Sequence, residues 1–207
     1  FTLNFTQLAL PAINFQPPFF DSTYPLALIY GNTGATIGHE IVHHFDNYGI
    51  QITSDGTSYN WNIKEWAETR KRFNEKTKCF VDQYDVIVDR ETGLGLNGSL
   101  TLSENIADKE GLSIAFLAMK EKLKNNDDKR IPKMEKFTSK QLFFLSYAQR
   151  KCKNIWIKER KAIIETIGHL PPEHRVNVPL SNLKQFSDAF QCPLGSKMNP
   201  FKKCRLF

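Results

Sequence analysis

Two histidines and a glutamate stand close together near residue 40, in the order His39, Glu40 and His43. On an α-helix, residues four apart lie above one another on one face, so both imidazoles can bind one tetrahedral Zn²⁺. Glu40 then projects toward a water on the metal, whose pKa zinc lowers to about 7, and can accept its proton. The spacing is that of the HExxH motif, and it predicts a zinc-dependent hydrolase with Glu40 as the general base.

The alternative interpretation of this motif is an ordinary helix with half-buried histidines. Apolar residues surround the motif, with Ile37 before it and Ile41 and Val42 inside it. Imidazoles without partners are costly in such a buried setting. Metal binding is therefore favoured, and a third ligand is expected elsewhere in the chain.

A second predicted helix carries two carboxylates, Glu104 and Asp108, one turn apart in an otherwise apolar segment. Such a pair is costly unless a cation neutralises it. Glu104 is the candidate third ligand, and Asp108, like Asp46 two turns after His39, can accept the second N–H of a ligating histidine. The alternative is a solvated first turn favoured by the helix dipole, in which Thr101 and Glu104 have capping-box spacing. Three protein ligands with an open position indicate a catalytic site.

The hydrophobic periodicity predicts the elements that position these residues. Helices are predicted over residues 33–46, 62–79, 101–124, 138–152, 155–165 and 182–190. The first 30 residues are rich in proline and aromatic residues, and Leu8, Leu10 and Ile13 suggest an edge strand. A chain of 207 residues with 41% hydrophobic content can bury one core. We expect one domain, mainly α with a small β element.

Charge and hydropathy exclude several classes of partner. The net charge is +6, but basic and acidic residues are interleaved and no stacking aromatics accompany them. Solvated helix faces explain this pattern better than nucleic-acid binding does. No segment approaches the roughly 18 apolar residues of a membrane span, and the chain does not begin with a signal peptide. A membrane anchor is expected only upstream of it.

Further short motifs occur along the whole chain. Beside the residues above, they are Gln16-Pro17-Pro18-Phe19-Phe20, Glu104-Asn105-Ile106-Ala107-Asp108, Gln141-Leu142-Phe143-Phe144-Leu145, His169 with Arg175-Val176-Asn177, and Met198-Asn199-Pro200 with Lys202-Lys203-Cys204-Arg205. In type and order they resemble the neprilysin and endothelin-converting enzyme family of zinc metallopeptidases. The resemblance implies a thermolysin-like zincin catalytic domain over residues 1–207. It also implies that this domain is the C-terminal part of a larger ectoenzyme, whose N-terminal helical lobe this chain lacks.

The resemblance also implies roles for residues outside the zinc motif. His169, in a loop after the fifth helix, would stabilise the oxyanion, and Arg175 would hold the backbone carbonyl of the substrate. Phe19 is retained in the specificity pocket. Arg150 and Lys151 stand where the family has large apolar residues. We therefore predict a more cationic pocket that accepts acidic or polar side chains on the carboxyl side of the cut.

Two other histidines match no functional position of the family. His174 is expected to be an exposed loop residue, and His44 points about 100° away from its neighbour His43. The predicted function is a zinc metalloendopeptidase that holds one Zn²⁺ and cleaves short extracellular peptides. One alternative is a catalytically silent ectodomain that binds zinc and a peptide or protein. The other is a closed structural zinc site, with Cys79 or His44 as the fourth ligand.

The four cysteines and two glycosylation sequons suit an oxidising, secretory compartment. No two cysteines have the spacing of a zinc ribbon. The resemblance implies a Cys79–Cys204 disulfide, with Cys152 and Cys192 unpaired here because their partners lie in the absent lobe. The protein is thus expected outside the cell or at its surface, as a type II membrane ectodomain or a secreted protein. The candidate glycosylation sites are Asn4 and Asn97.

Overall fold

A computed structural model describes residues 8–53, 55–58, 60, 63–124, 128–166 and 168–207. The α-helices of this part of the chain are α1 (Leu26–Ile29), α2 (Ala35–Val42), α3 (Ala67–Asp85), α4 (Leu102–Leu123), α5 (Ser139–Lys151), α6 (Ile157–Thr166), α7 (Pro172–Ser181) and α8 (Lys184–Ala189). The prediction of a mainly α fold is confirmed, and each predicted helix overlaps one of these. Among the described residues, no helix combines the length and the apolar character that a bilayer span requires.

The helix that carries the HExxH motif starts earlier and ends earlier than predicted. A π-helical turn at Tyr30–Gly34 joins α1 to α2, so helical structure is continuous from Leu26 to Val42. His43 lies at the C-cap, and Asp46 lies in the turn that follows. The second histidine of the motif is therefore positioned by the end of a helix and by the turn after it.

Helix α4 runs through the centre of the molecule, because its residues 105 to 112 are all buried. Helix α2 packs against it where Gly38 meets Gly111, and a Cβ on either glycine would overlap backbone atoms of the other helix. The two backbones therefore approach more closely than side chains would allow. This close approach brings His39 of α2 beside Glu104 and Asp108 of α4.

The capping box predicted at the start of α4 is absent. Thr101 is the N-cap residue, but its Oγ1 donates to the carbonyl oxygen of Asn97 (2.9 Å) and accepts from Nδ2 of Asn105 (2.8 Å). The Glu104 side chain turns toward the two histidines instead. A capping box does occur at the start of α5, between Thr138 and Gln141.

The main core lies between α4 and α5 and includes residues of α1, α2 and α7. Its buried members are Ala27, Ala35, Leu112, Ala115, Phe116, Met119, Leu142, Phe143, Phe144, Tyr147, Leu180 and Leu183. At its centre, the Phe116 and Phe144 rings are stacked with their centroids 5.3 Å apart. This core fixes α5, whose last turn carries Arg150 and Lys151, relative to the zinc-motif helices.

A second core holds the C-terminal tail against α3 and α4. The predicted Cys79–Cys204 disulfide is present, with the two Cα atoms 5.6 Å apart. On α4, Oε1 of Glu110 accepts a hydrogen bond from the backbone N–H of Leu206 (2.5 Å). Cys152 is exposed and Cys192 is half-buried, and both are free cysteines in the structure.

The small β element is reduced to two isolated antiparallel bridges, Ile52 to Ser58 and Val88 to Gly95. The edge strand predicted from Leu8, Leu10 and Ile13 is wrong. Residues 8 to 11 form no strand, and Ile13 lies in a short 3₁₀ turn, Ala12–Phe15, after Pro11. A strand requires a partner to satisfy its backbone groups, and no described segment pairs with this one.

The loop predicted after α6 is also partly wrong, because its second half forms α7. Two prolines in sequence favoured a loop, but Pro172 occupies the first turn of α7, where its missing N–H costs little. Arg175 therefore lies on a helix, whereas His169 remains in the connection before it. Of the two glycosylation candidates, Asn97 is exposed, and Asn4 lies outside the described residues.

Candidate metal centre and catalytic cleft

His39, His43 and Glu104 direct ligand atoms toward one point. These atoms all lie within 4.8 Å of one another. The two Nε2 atoms are 3.1 Å apart, and Glu104 oxygens lie 3.3 Å from that of His39 and 3.5 Å from that of His43. Two imidazole nitrogens at this separation need either a shared proton or a metal cation between them. The two nitrogens and one carboxylate fit the preferred ligands of Zn²⁺.

The electrostatics of the site also favour a cation. Burial alone would lower the pKa of His39, but the carboxylates of Asp108 and Glu104 outweigh it and raise the pKa to about 9. Burial likewise raises the pKa of Glu104, but hydrogen bonds from His169 and His39 and the charge of Arg175 hold it below its usual value. The carboxylates thus remain ionised and attract positive charge to the imidazoles.

Asp46 orients His43 from the turn after α2. Its Oδ2 lies 2.7 Å from Nδ1 of His43, so that Nε2 of the same ring faces His39 and Glu104. Its Oδ1 accepts the backbone N–H groups of Tyr48 and Gly49, both at 2.8 Å, and Ser103 donates its hydroxyl to Oδ2. Burial raises the pKa of Asp46, but these hydrogen bonds outweigh it and lower the pKa. The sequence analysis assigned no role to Ser103, although this residue directly precedes the candidate ligand Glu104.

Asp108 is buried on the other side of His39. Its Oδ1 lies 3.0 Å from Nδ1 of His39. Arg175 donates Nε to Oδ2 (2.6 Å) and Nη2 to Oδ1 (2.8 Å), and Nη2 also lies 3.2 Å from Glu104. Lys151 Nζ lies 3.5 Å from Oδ1. Arg175 thus joins the two carboxylates of α4.

These residues open onto a cleft of about 160 Å³. The residues that line it are Ala35, Thr36, His39, Glu40, Asp108, Tyr147, Arg150, Lys151, His169 and Arg175. Glu40 is half-buried and has no hydrogen-bond or ion-pair partner among the described residues. His169 is 54% exposed at the rim, with Nε2 3.0 Å from Glu104. The cleft therefore brings together an uncommitted carboxylate and an accessible imidazole beside the metal ligands.

His174 is not the exposed loop residue that was predicted. It is buried in α7, and its Nε2 lies 2.8 Å from Oδ2 of Asp89. Arg160 of α6 donates Nη2 to the same oxygen (2.5 Å) and Nε to both oxygens (3.0 Å). Burial raises the pKa of Asp89, but hydrogen bonds from Arg160, His174 and Thr92 outweigh it and lower the pKa.

The cluster of Asp89, Arg160 and His174 joins α6, α7 and the turn after α3. It fixes the connection between α6 and α7, which contains His169, and the start of the helix that carries Arg175. Sequence analysis missed it because its members lie far apart in the chain, and nothing local marks Arg160 among the solvated charges of its helix.

The metal-binding group has no fourth protein ligand among the described residues. Cys79 is bonded to Cys204 and has no free thiolate for a metal. His44 is half-buried in the turn after α2 and is not part of the group. These facts disfavour the closed structural zinc site.

Two histidines at the end of a helix, a carboxylate from a second helix and a glutamate without other partners among the described residues, beside a cleft, are an arrangement that suits a zinc metallopeptidase. The chain belongs to peptidase family M13, whose family model matches residues 1–206. The resemblance inferred from the sequence motifs is confirmed.

Curated relatives include neprilysins from several animals. Neprilysin-1 of Caenorhabditis elegans is 43% identical over 95% of this chain and 26% of its own length. Human neprilysin is 39% identical over 97% of this chain and 26% of its own length. An endothelin-converting enzyme homolog of Locusta migratoria is 41% identical over 97% of this chain and 27% of its own length. The chain spans about a quarter of the length of these relatives.

Solved structures share the fold. The Mycobacterium tuberculosis zinc metalloprotease Zmp1, in complex with an inhibitor, matches 99% of this chain and 31% of its own, with a TM-score of 0.89 and 31% identity. A galactose-containing glycoprotein complex of Haemonchus matches 96% of this chain and 33% of its own, with a TM-score of 0.86 and 32% identity. The prediction of a zincin catalytic fold is confirmed.

Proposed function

We propose that this chain is the catalytic part of a zinc-dependent metalloendopeptidase that holds Zn²⁺ through His39, His43 and Glu104. The observation that carries the proposal is the convergence of these three ligands within 4.8 Å beside a cleft lined by Glu40. Bound zinc supplies a Lewis acid that polarises a carbonyl and makes a water more acidic.

In this proposal, the residues around the metal have separate roles in the reaction. Glu40 accepts the proton of the attacking water, and its lack of other partners leaves it available. His169 donates an N–H to the oxygen of the scissile carbonyl as negative charge develops there, and one such donor is typically worth about 10²- to 10³-fold in turnover. Asp46 and Asp108 keep the ligand histidines in orientation, and Arg175 holds Asp108 and contributes positive charge to the cleft wall.

We further infer peptide substrates, a second lobe and a secretory location. We expect a peptide to bind in the cleft beside the metal ligands, and the second lobe to cover it. The free cysteines Cys152 and Cys192 are the residues we expect to bond to that lobe. The Cys79–Cys204 disulfide favours an oxidising compartment, outside the cell or at its surface.

Two substitutions test the proposed function. Glu40→Gln should abolish cleavage of a fluorogenic peptide while one equivalent of zinc remains bound, because it removes the base but no ligand. Glu104→Gln should lower zinc affinity and activity together. The control is Glu165→Gln, which removes an exposed carboxylate of α6.

The outcomes separate the alternatives. Loss of zinc from the Glu40→Gln protein would show that Glu40 coordinates the metal, and unchanged zinc affinity in the Glu104→Gln protein would remove Glu104 from the site. A wild-type protein that holds one zinc but cleaves no peptide would indicate the silent ectodomain.

A further inference from the structure

The geometry points to a carboxylate-binding subsite at Arg150, beside the zinc site, which selects peptides that carry a carboxylate. The carboxyl side of the scissile bond is the side predicted for this pocket from the family resemblance. This inference rests on the proposed peptidase function and names the substrate class of the same cleft. The carboxylate has two possible sources, an acidic side chain or the C-terminus of the peptide.

Arg150 lies at the junction of several cavities. From the last turn of α5 it lines the cleft that contains His39 and Glu40. It also lines a neighbouring cavity of about 490 Å³ with His169 and Leu170. A peptide held across the metal therefore passes within reach of the guanidinium.

The contacts of Arg150 are neutral. Its Nη1 donates to Oδ1 of Asn32 (2.8 Å), its Nη2 lies 3.3 Å from Oδ1 of Asn14, and its Cζ lies 4.8 Å from the centre of the Phe19 ring. No carboxylate of the described residues forms an ion pair with it. The half-buried guanidinium thus keeps its full charge uncompensated, and its burial lowers the pKa.

The groups that hold Arg150 are themselves fixed. The hydroxyl of buried Thr33 donates to the carbonyl oxygen of Phe19 (3.0 Å) and lies 3.2 Å from that of Asn14. These contacts attach the N-terminal segment to the π-helical turn. The guanidinium is therefore oriented before any ligand arrives, which reduces the entropy lost on binding.

The other cations of the cleft are already paired. Arg175 makes two hydrogen bonds to Asp108, at 2.6 and 2.8 Å, and Lys151 lies 3.5 Å from the same carboxylate. Within the part of the cleft that the structure describes, Arg150 is the cation without a counter-charge. The cationic pocket predicted for Arg150 and Lys151 together thus depends mainly on Arg150.

A guanidinium in this state matches a carboxylate. It is planar and offers parallel N–H donors, so it binds two carboxylate oxygens at once. A hydrogen bond to a charged group, lost when the carboxylate becomes an amide, corresponds to about a 10- to 100-fold change in an equilibrium or rate ratio. That change is the expected size of the preference.

Four matched peptides test the subsite and identify the source of the carboxylate. They share one cleavable sequence and combine Glu or Gln after the scissile bond with a free or amidated C-terminus. We expect wild-type protein loaded with zinc to prefer one carboxylate-bearing peptide over its amide by about 10- to 100-fold in kcat/KM. If Gln in place of Glu weakens cleavage, the carboxylate comes from the side chain. If amidation of the C-terminus weakens it, the carboxylate comes from the end of the peptide.

Variants attribute the preference to Arg150. Arg150→Gln should cleave the neutral peptide but lose the preference, and Arg150→Lys should retain only part of it, since an ammonium cannot form the two-pronged contact. Lys158→Gln, which removes an exposed positive charge from α6, should leave the preference unchanged. If Arg150→Gln does not fold, Arg150→Lys alone tests whether the preference depends on the guanidinium.

The results distinguish failure of the subsite from failure of the proposed function. Equal cleavage of all four peptides by the wild type would overturn the subsite, as would a preference that persists undiminished in both Arg150 variants. A wild type that binds one zinc and cleaves none of the peptides would instead overturn the proposed function. In that case, binding of the four peptides measured by fluorescence anisotropy still tests the subsite, and equal affinities would reject it.

Discussion

Gly38 and Gly111 meet backbone to backbone where α2 crosses α4, and neither position has room for a Cβ atom. Gly38 directly precedes the ligand His39, and Gly111 lies two turns after Glu104. The distance between the two ligand-bearing helices is therefore set by a pair of residues that have no side chains. The proposed zinc site therefore depends on this contact as well as on its own ligands.

We predict that Gly111→Ala weakens both folding and zinc binding. The new methyl group would overlap the backbone N and Cα of His39, and backbone atoms cannot rotate away as a flexible side chain can. Overpacking of this kind typically costs about 1–3 kcal/mol. Urea unfolding and zinc titration by chelator competition measure the two effects.

Gly95→Ala is the matched control for that substitution, because a Cβ there meets no atom within 4 Å. It should leave the zinc affinity unchanged. Equal stability and equal zinc affinity for Gly111→Ala and the wild type would show that the helices can separate without cost.

Asp46→Asn is expected to lower zinc affinity about 10- to 100-fold, the usual effect of losing a partner that orients a ligand. The amide retains an oxygen for the backbone N–H groups of Tyr48 and Gly49 but removes the charge that faces Nδ1 of His43. Competition with a chelator of known affinity measures the change. Asp82→Asn, at an exposed position of α3, is the control, and a similar loss in both variants would exclude a specific role for Asp46.

Much of the metal site was predictable because its signals are local. The HExxH spacing predicts that His39 and His43 lie on one face, although His43 is the C-cap residue of α2 and the turn after it completes its orientation. Glu104 and Asp108 likewise lie one helical turn apart. The cluster of Asp89, Arg160 and His174 was not predictable, since it forms only when three distant segments pack together. Periodicity and composition describe single elements, and such contacts depend on how the elements meet.

The errors in the fold have physical causes too. A loop was predicted where α7 forms, because prolines disfavour a helix interior. Pro172 in fact falls in the first turn of α7, which tolerates proline, and the sequence does not show this. Thr101 and Glu104 had capping-box spacing, but Glu104 faces His39 and His43 in place of the helix end. At the start of α4, a contact outside the segment decided the conformation.

The Asp89 cluster predicts a dependence of stability on pH. The hydrogen bonds hold the folded-state pKa of Asp89 below its unfolded value of about 3.9, so its contribution is complete above that pH and is lost as the pH falls. Asp89→Asn should cost about 3 kcal/mol at pH 7, because it removes the buried counter-charge of Arg160 and leaves only the more exposed carboxylates of Glu91 and Glu173. The difference in the free energy of unfolding between this variant and the wild type should shrink by about 1 kcal/mol between pH 5 and pH 3.

Urea unfolding of the metal-free proteins at several pH values measures that difference. Metal-free protein is required because zinc dissociates in acid and would add its own pH dependence. A stability difference that stays constant down to pH 3 would show that folding does not lower the pKa of Asp89.

Removing the disulfide should destabilise the chain strongly. The bond joins residues 125 positions apart, and the loop-closure model assigns about 5 kcal/mol to a loop of this length. The double substitution Cys79→Ala with Cys204→Ala should lower the free energy of unfolding toward that limit, as measured in urea. Cys152→Ser is the control, since this exposed thiol is free, and an equal loss in both proteins would refute the assignment.

The π-helical turn at Tyr30–Gly34 constrains how this chain can change in length. Gly31, near the start of this turn, packs against the backbone of α5 at Phe143. Gly38, four residues after the turn ends, packs against α4. The helical segment is therefore fixed at these two points. Deleting one residue between them would rotate His39 and His43 by about 100° relative to the Gly31 contact. Natural variants of this protein should therefore tolerate insertions and deletions in surface loops but keep a constant count of seven positions from Gly31 to Gly38.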